Sequence, residues 1–118
     1  MSLRTGEVLW RRRFKTPINT AALTTDGGLA FAGSWDRYIY AFDAGNGDTL
    51  WQTRLPTSVQ GYPISYAVDG TQYVAVPVGS GGASWGGMIP ADLVPDEKRP
   101  SGGNGLFVFA LDDQIPTR

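Results

Sequence analysis

The sequence predicts an all-β chain: a β-propeller fragment of about two to three four-stranded antiparallel blades. Three observations carry this prediction. First, aromatic and β-branched runs alternate with turns of Gly, Asp and Asn, in 118 residues that hold 16 glycines and 8 prolines. Second, Thr5-Gly6-Glu7-Val8-Leu9-Trp10-Arg11-Arg12-Arg13-Phe14 aligns with Asn46-Gly47-Asp48-Thr49-Leu50-Trp51-Gln52-Thr53-Arg54-Leu55, at an offset of 41 that places Trp10 on Trp51. Third, Pro63-Ile64-Ser65-Tyr66-Ala67-Val68-Asp69-Gly70 overlays Thr20 to Gly27 at an offset of 43. A period of about 40–45 residues with several strands per unit is the signature of propeller blades.

Taken in order, residues 1–3 read as an added leader, and residues 4–112 as a partial propeller excised from a longer protein. Residues 4–14 form a blade end. The charges of Arg11, Arg12 and Arg13 fit an exposed strand, where they discourage edge pairing. Pro17 excludes a central strand from the loop that follows. A complete blade occupies 20–55, with strands at 21–25, 29–33, 38–42 and 49–55. Asp26-Gly27-Gly28 predicts a type I′ hairpin. Asp43 to Asp48 predicts a tight turn in which Gly45 and Gly47 supply positive φ and Asx side chains cap the backbone.

The third unit, 62–112, is interrupted. Tyr73-Val74-Ala75-Val76-Pro77 stands where Leu29 to Gly33 stood, but the next strand, Leu106 to Asp112, is delayed by an inserted loop at 79–105. Loops beyond about 12–15 residues without structure of their own are usually functional or disordered. The first half of the insertion is glycine-rich around Trp85; the second carries Pro90, Pro95 and Pro100, with a short helical turn expected near Ala91-Asp92-Leu93. Residues 113–118 read as a tail.

Composition removes several functions. The formal net charge is −1, so no basic footprint points to nucleic acid. Cys and His are absent, which excludes thiolate nucleophiles, Cys/His zinc sites, Ser-His-Asp triads and covalent c-type haem attachment. No apolar run approaches the ~20 residues of a membrane-spanning helix.

The chemistry of the tryptophans separates joints from sites. Trp10 and Trp51 recur once per unit, and a large ring laid on the neighbouring blade, with its indole N–H bonded as it is buried, fixes the angle between blades. The small residues Ala41 and Gly47 leave room for that approach. Trp35, in a turn, reads as a packing residue, and Asp36, Asp43 and Asp48 as turn and strand-end residues. Trp85 stands outside the repeat register.

The run Ala41-Phe42-Asp43-Ala44-Gly45-Asn46-Gly47-Asp48-Thr49-Leu50-Trp51 resembles the tryptophan-docking motif of the quinoprotein alcohol dehydrogenases, which depend on pyrroloquinoline quinone (PQQ). That motif usually has Thr at the position of Asn46. Gly61 to Ala75 and the glycine-rich loop around Trp85 are similar to the C-terminal portion of the family's propeller. The resemblance implies an alcohol or sugar dehydrogenase of the periplasm, with calcium polarising the quinone, an aspartate taking the hydroxyl proton and hydride passing to the quinone C5 carbonyl. It places Ser84 and Trp85 at the edge of the PQQ pocket and Asn19 near it. The family's Trp-Gly-Gly or Asn-Gly-Gly is replaced here by Ile18-Asn19-Thr20, and its calcium ligands and catalytic aspartate belong to earlier parts of a longer chain. The fragment is therefore expected to hold neither PQQ nor calcium stably alone and to be inactive. Its expected partners are the remainder of the propeller, a small alcohol or sugar, and copies of itself. The alternative is a non-catalytic propeller with the same motifs, serving protein assembly at the outer membrane; the long Trp85 loop discriminates, since a scaffold blade needs no such insertion.

Overall fold

A computed structural model describes residues 2–18, 20–79 and 104–111. They form two antiparallel sheets. The first runs in sequence order, β1 (Leu23–Thr24), β2 (Leu29–Gly33), β3 (Tyr38–Asp43), β4 (Thr49–Arg54); the second likewise, β5 (Ile64–Val68), β6 (Thr71–Val78), β7 (Gly105–Leu111). There is no helix among the described residues. The expected turn at 91–93 lies outside them, as do most of the inserted loop and the tail.

The strands stand where the runs between turns predict them, with the first cut from 21–25 to 23–24, but the turns differ in detail. In the first hairpin the left-handed residue is Gly28 (φ 87°), one position later than a type I′ turn at Asp26-Gly27 requires. Gly28 N–H closes the turn onto Thr25 O at 3.1 Å, and Thr25 N–H bonds Leu29 O. Three residues separate the paired ends, and the third takes the positive φ. The second Asp-Gly behaves as a type I′ turn: Asp69 (φ 51°) and Gly70 (φ 81°) join the directly paired Val68 and Thr71. In the turn before Trp51 only Gly47 is left-handed (φ 81°); Gly45 instead donates its N–H to Asp43 Oδ1 at 2.8 Å.

Side chains alternate across the first sheet. On one face Tyr38, Tyr40 and Phe42 of β3 stack at 5.9 and 5.7 Å, beside Ala30. Residues 10–14 cover them, with Phe14 5.0 Å from Tyr40 and Trp10 6.0 Å from Phe42. This stretch belongs to no strand, which corrects the expectation of an exposed strand there. On the other face Leu29, Phe31, Ile39 and Ala41 meet Val74, Val76 and Val78, flanked by Phe107, Phe109 and Leu111. Ile39, Val59 and Val76 are wholly buried, so one apolar core joins the two sheets.

Candidate functional site

Antiparallel order brings the start of β1, the β2–β3 turn and the end of β4 to one end of the first sheet. The same rule puts the residues before β5 and the β6–β7 connection at the corresponding end of the second. Short bridges stitch the two ends together: Ile18 with Ser34, Thr20 with Gly61 in parallel, and Val59 with Val78. Gln60 N–H bonds Pro77 O, and Gly79 N–H bonds Ser58 O at 2.9 Å.

Buried polar groups make this end rigid. Ser34, Ser58, Thr57 and Thr16 are all buried. Ser34 Oγ lies 3.1 Å from Pro17 O, which can only accept, so the single Ser34 proton goes there. Thr16 must then donate to Ser34 Oγ across 2.6 Å. Trp35 N–H bonds Pro17 O at 2.9 Å, and its side chain is buried, as expected of a packing residue. A Cβ on Gly33 would overlap the Val59 side chain, and Gly33 N–H bonds Thr20 Oγ1 at 2.8 Å.

Asp36 caps the β2–β3 turn, accepting from Tyr38 N–H at 3.0 Å and from the Tyr40 hydroxyl at 3.1 Å. Burial first, then the Asp36 carboxylate, push the Tyr40 phenol well above its ordinary value, so it stays protonated as a donor. The sequence identified Asp36 as a turn residue; its second partner, four positions on, was not read.

Trp10 donates its indole N–H to Ala44 O at 2.8 Å and lays its ring against Gly47, where an added Cβ would stand 2.5 Å from it. Arg12, read in the sequence as one of three solvated charges, donates to Gly47 O at 3.1 Å and lies over the rings of Phe14 and Phe42 at 5.9 and 5.6 Å. Its place one alternation beyond Trp10 is the signal that could have found it. Trp51 sits opposite Ala41 on β4, beside an irregularity in register, and meets Phe109 edge-on at 5.2 Å. Ala41, Trp51, Phe109 and Leu111 help to line an apolar cavity of about 240 Å³ between the sheets.

The three residues expected to touch cofactor, Asn19, Ser84 and Trp85, lie outside the described residues. Their chain neighbours are described: Ile18 and Thr20 form two of the bridges, and Gly79 and Asn104 bound the β6–β7 connection. Among the described residues no three Asp, Glu, His or Cys side chains come together as a metal site.

The family model described as "PQQ: Glucose/ethanol/alcohol dehydrogenase, beta-propeller domain" matches residues 2–74. The quinoprotein ethanol dehydrogenase of Pseudomonas putida is 36% identical over 91% of this chain and 17% of its own length. Subunit 1 of the cytochrome c methanol dehydrogenase of Paracoccus denitrificans is 34% identical over 94% of this chain and 20% of its own. Among solved structures, a europium-containing methanol dehydrogenase is similar with a TM-score of 0.66 and 35% identity, over 80% of this chain and 19% of that one. The quinohemoprotein alcohol dehydrogenase of Comamonas testosteroni gives 0.65 and 34%, over 80% and 13%. The chain thus spans a fifth or less of the length of these relatives.

Proposed function

The chain belongs to the PQQ-dependent glucose, ethanol and alcohol dehydrogenase β-propeller family, and we propose that it supplies two adjoining blades of such an enzyme, forming one wall of a pocket where an alcohol or sugar is oxidised. The domain reading goes with it: a blade end at 4–14, a complete blade at 20–55 and an interrupted blade at 62–112 with the insertion at 79–105. The holoenzyme works in the periplasm with PQQ and calcium, the cofactor supplying the hydride acceptor. The chain's own residues position and enclose. Trp85 and Ser84 border the ring system, Asn19 offers a hydrogen bond from the adjoining loop, and Trp10, Trp51, Ala41 and Gly47 hold the blades at the angle that keeps these loops together. On its own the chain has no turnover.

The observation that supports this reading is the bridged end of the two sheets. Ile18 and Thr20, on either side of Asn19, are tied to Ser34 and Gly61, while Val78, one residue before the β6–β7 connection begins, is tied to Val59. The chain neighbours of Asn19 and the strand end that precedes the Trp85 connection are thereby braced. In a dehydrogenase carrying these blades, Trp85→Ala is expected to lower kcat/KM for the alcohol about 100-fold through lost positioning. Calcium content and folding are expected to stay unchanged. An unaltered kcat/KM would sink the assignment of Trp85, and absence of alcohol-dependent dye reduction with PQQ and calcium in the parent enzyme would sink the dehydrogenase reading.

A further inference from the structure

Three deficits in the fold have one remedy. Residues 5–14 align with β4, the outer strand of the first blade, yet pair with no strand among the described residues. Their side chains nevertheless alternate as in a strand. Trp10, Arg12 and Phe14 turn toward the first sheet, Trp10 and Phe14 half-buried and Arg12 exposed but bonded to Gly47 O, while Leu9, Arg11 and Arg13 are exposed. The second sheet has the complementary fault: β7 corresponds to β3, but among the described residues no strand occupies its outer edge. The outer face of that sheet is also bare. Ile64, Tyr66, Val68, Leu106 and Val108 are exposed on it, and Val108 is 48% exposed where its counterpart in the first sheet, Ile39, is 0%.

We propose that the 118-residue chain, on its own, assembles head to tail, with residues 8–14 of one copy adding to the β7 edge of another and completing its second blade. The register follows from the repeat. Ala41 faces Trp51 and Ile39 faces Thr53 in the first sheet. Trp10 therefore faces Ala110, and Arg12 faces Val108, across the new seam. The donated strand keeps its own contacts to its own first sheet, because Trp10 and Arg12 already bond Ala44 O and Gly47 O there. That sheet is carried onto the bare outer face of the receiving copy, as the second sheet here covers the first. The occupant of the edge and of the face is thus a second copy. Such a heterologous contact closes into a ring when its rotation permits. With two sheets per copy and propellers of about 4–8 blades, the ring holds about two to four copies.

The inference rests on the blade reading of the fold, and none of its readouts involves the quinone, so its failure leaves the enzymatic reading standing, and the reverse. Sedimentation of the 118-residue chain at micromolar concentration is expected to show one closed species of about two to four copies. Val108→Lys puts a charge on the bare face, is expected to leave the circular dichroism of the single chain intact, and should weaken association about 100-fold. Because the chain has no cysteine, the double variant Arg12→Cys/Val108→Cys is expected on oxidation to give copies linked covalently one to the next. A chain that sediments singly, association that Val108→Lys leaves unchanged, or a failure of the cysteine pair to link separate copies would each overturn the proposal.

Discussion

Gly47 concentrates more constraint than any other residue of the joint. Its φ of 81° costs a side chain about 1–2 kcal/mol, and its missing Cβ is the floor on which Trp10 rests. Gly47→Ala is expected to destabilise by more than that conformational cost, because the Trp10 ring must also move away and strain its bond to Ala44 O. Urea unfolding measures the first effect; a red shift in tryptophan emission reports the second. Tyr40 gives a pH prediction at the same scale. Its folded pKa is raised, so the folded state holds a proton that the unfolded state gives up near pH 10. The stabilisation is complete below that pH and is lost as pH rises toward the folded value. Tyr40→Phe removes the hydrogen bond to Asp36, with an expected cost of about 1 kcal/mol at neutral pH, and should flatten the decline above pH 10 in a series of denaturation curves. Asp36 itself was legible as a turn residue because an Asx cap is local. Its bond to Tyr40 was not, and neither was that of Arg12 to Gly47, 35 positions away. A run of three arginines looks uniform in sequence until a ring of β3 and a carbonyl of the β3–β4 turn single one out.

At the level of elements, the strands were readable and their turns only partly so. A short apolar run bounded by turn residues is a property of each strand alone, and it locates β2 at 29–33 without reference to the rest of the chain. The two Asp-Gly pairs are identical as dipeptides, yet one makes a two-residue turn and the other a three-residue turn, because Gly28 adds one position before the register resumes. The bridged end of the sheets was hidden for another reason: Thr20–Gly61 joins two loops and Val59–Val78 joins a loop to the end of β6, and such single pairings leave no periodic trace. The residues expected to meet the cofactor lie in those same connections, where only likeness to a family points to them. The close approach at Gly33 belongs to this scale. Gly33→Ala drives a methyl into Val59, which is wholly buried and cannot yield outward. The expected cost is about 1–3 kcal/mol. Val59→Ala in the same chain should recover part of it, a non-additivity that a double-mutant cycle measures.

In the molecule as a whole, the two sheets are held by one apolar core rather than by the chain that links them. Leu29, Phe31 and Ile39 from the first blade and Val74, Val76 and Val78 from the second bury one another, and a gap of about 240 Å³ remains between them. The second sheet keeps no dry face if the first leaves, and the first keeps only the face under residues 10–14, so the two should unfold in a single step. Ile39→Ala tests this. The substitution is in the first sheet, and truncating a buried isoleucine costs about 2–5 kcal/mol, toward the upper end here because the existing gap would enlarge rather than close. If the core is shared, amide exchange should quicken in β6 and β7 of the second sheet as much as in β2 and β3. If the blades are independent, exchange should quicken in the first sheet alone, and the denaturation curve should split into two transitions.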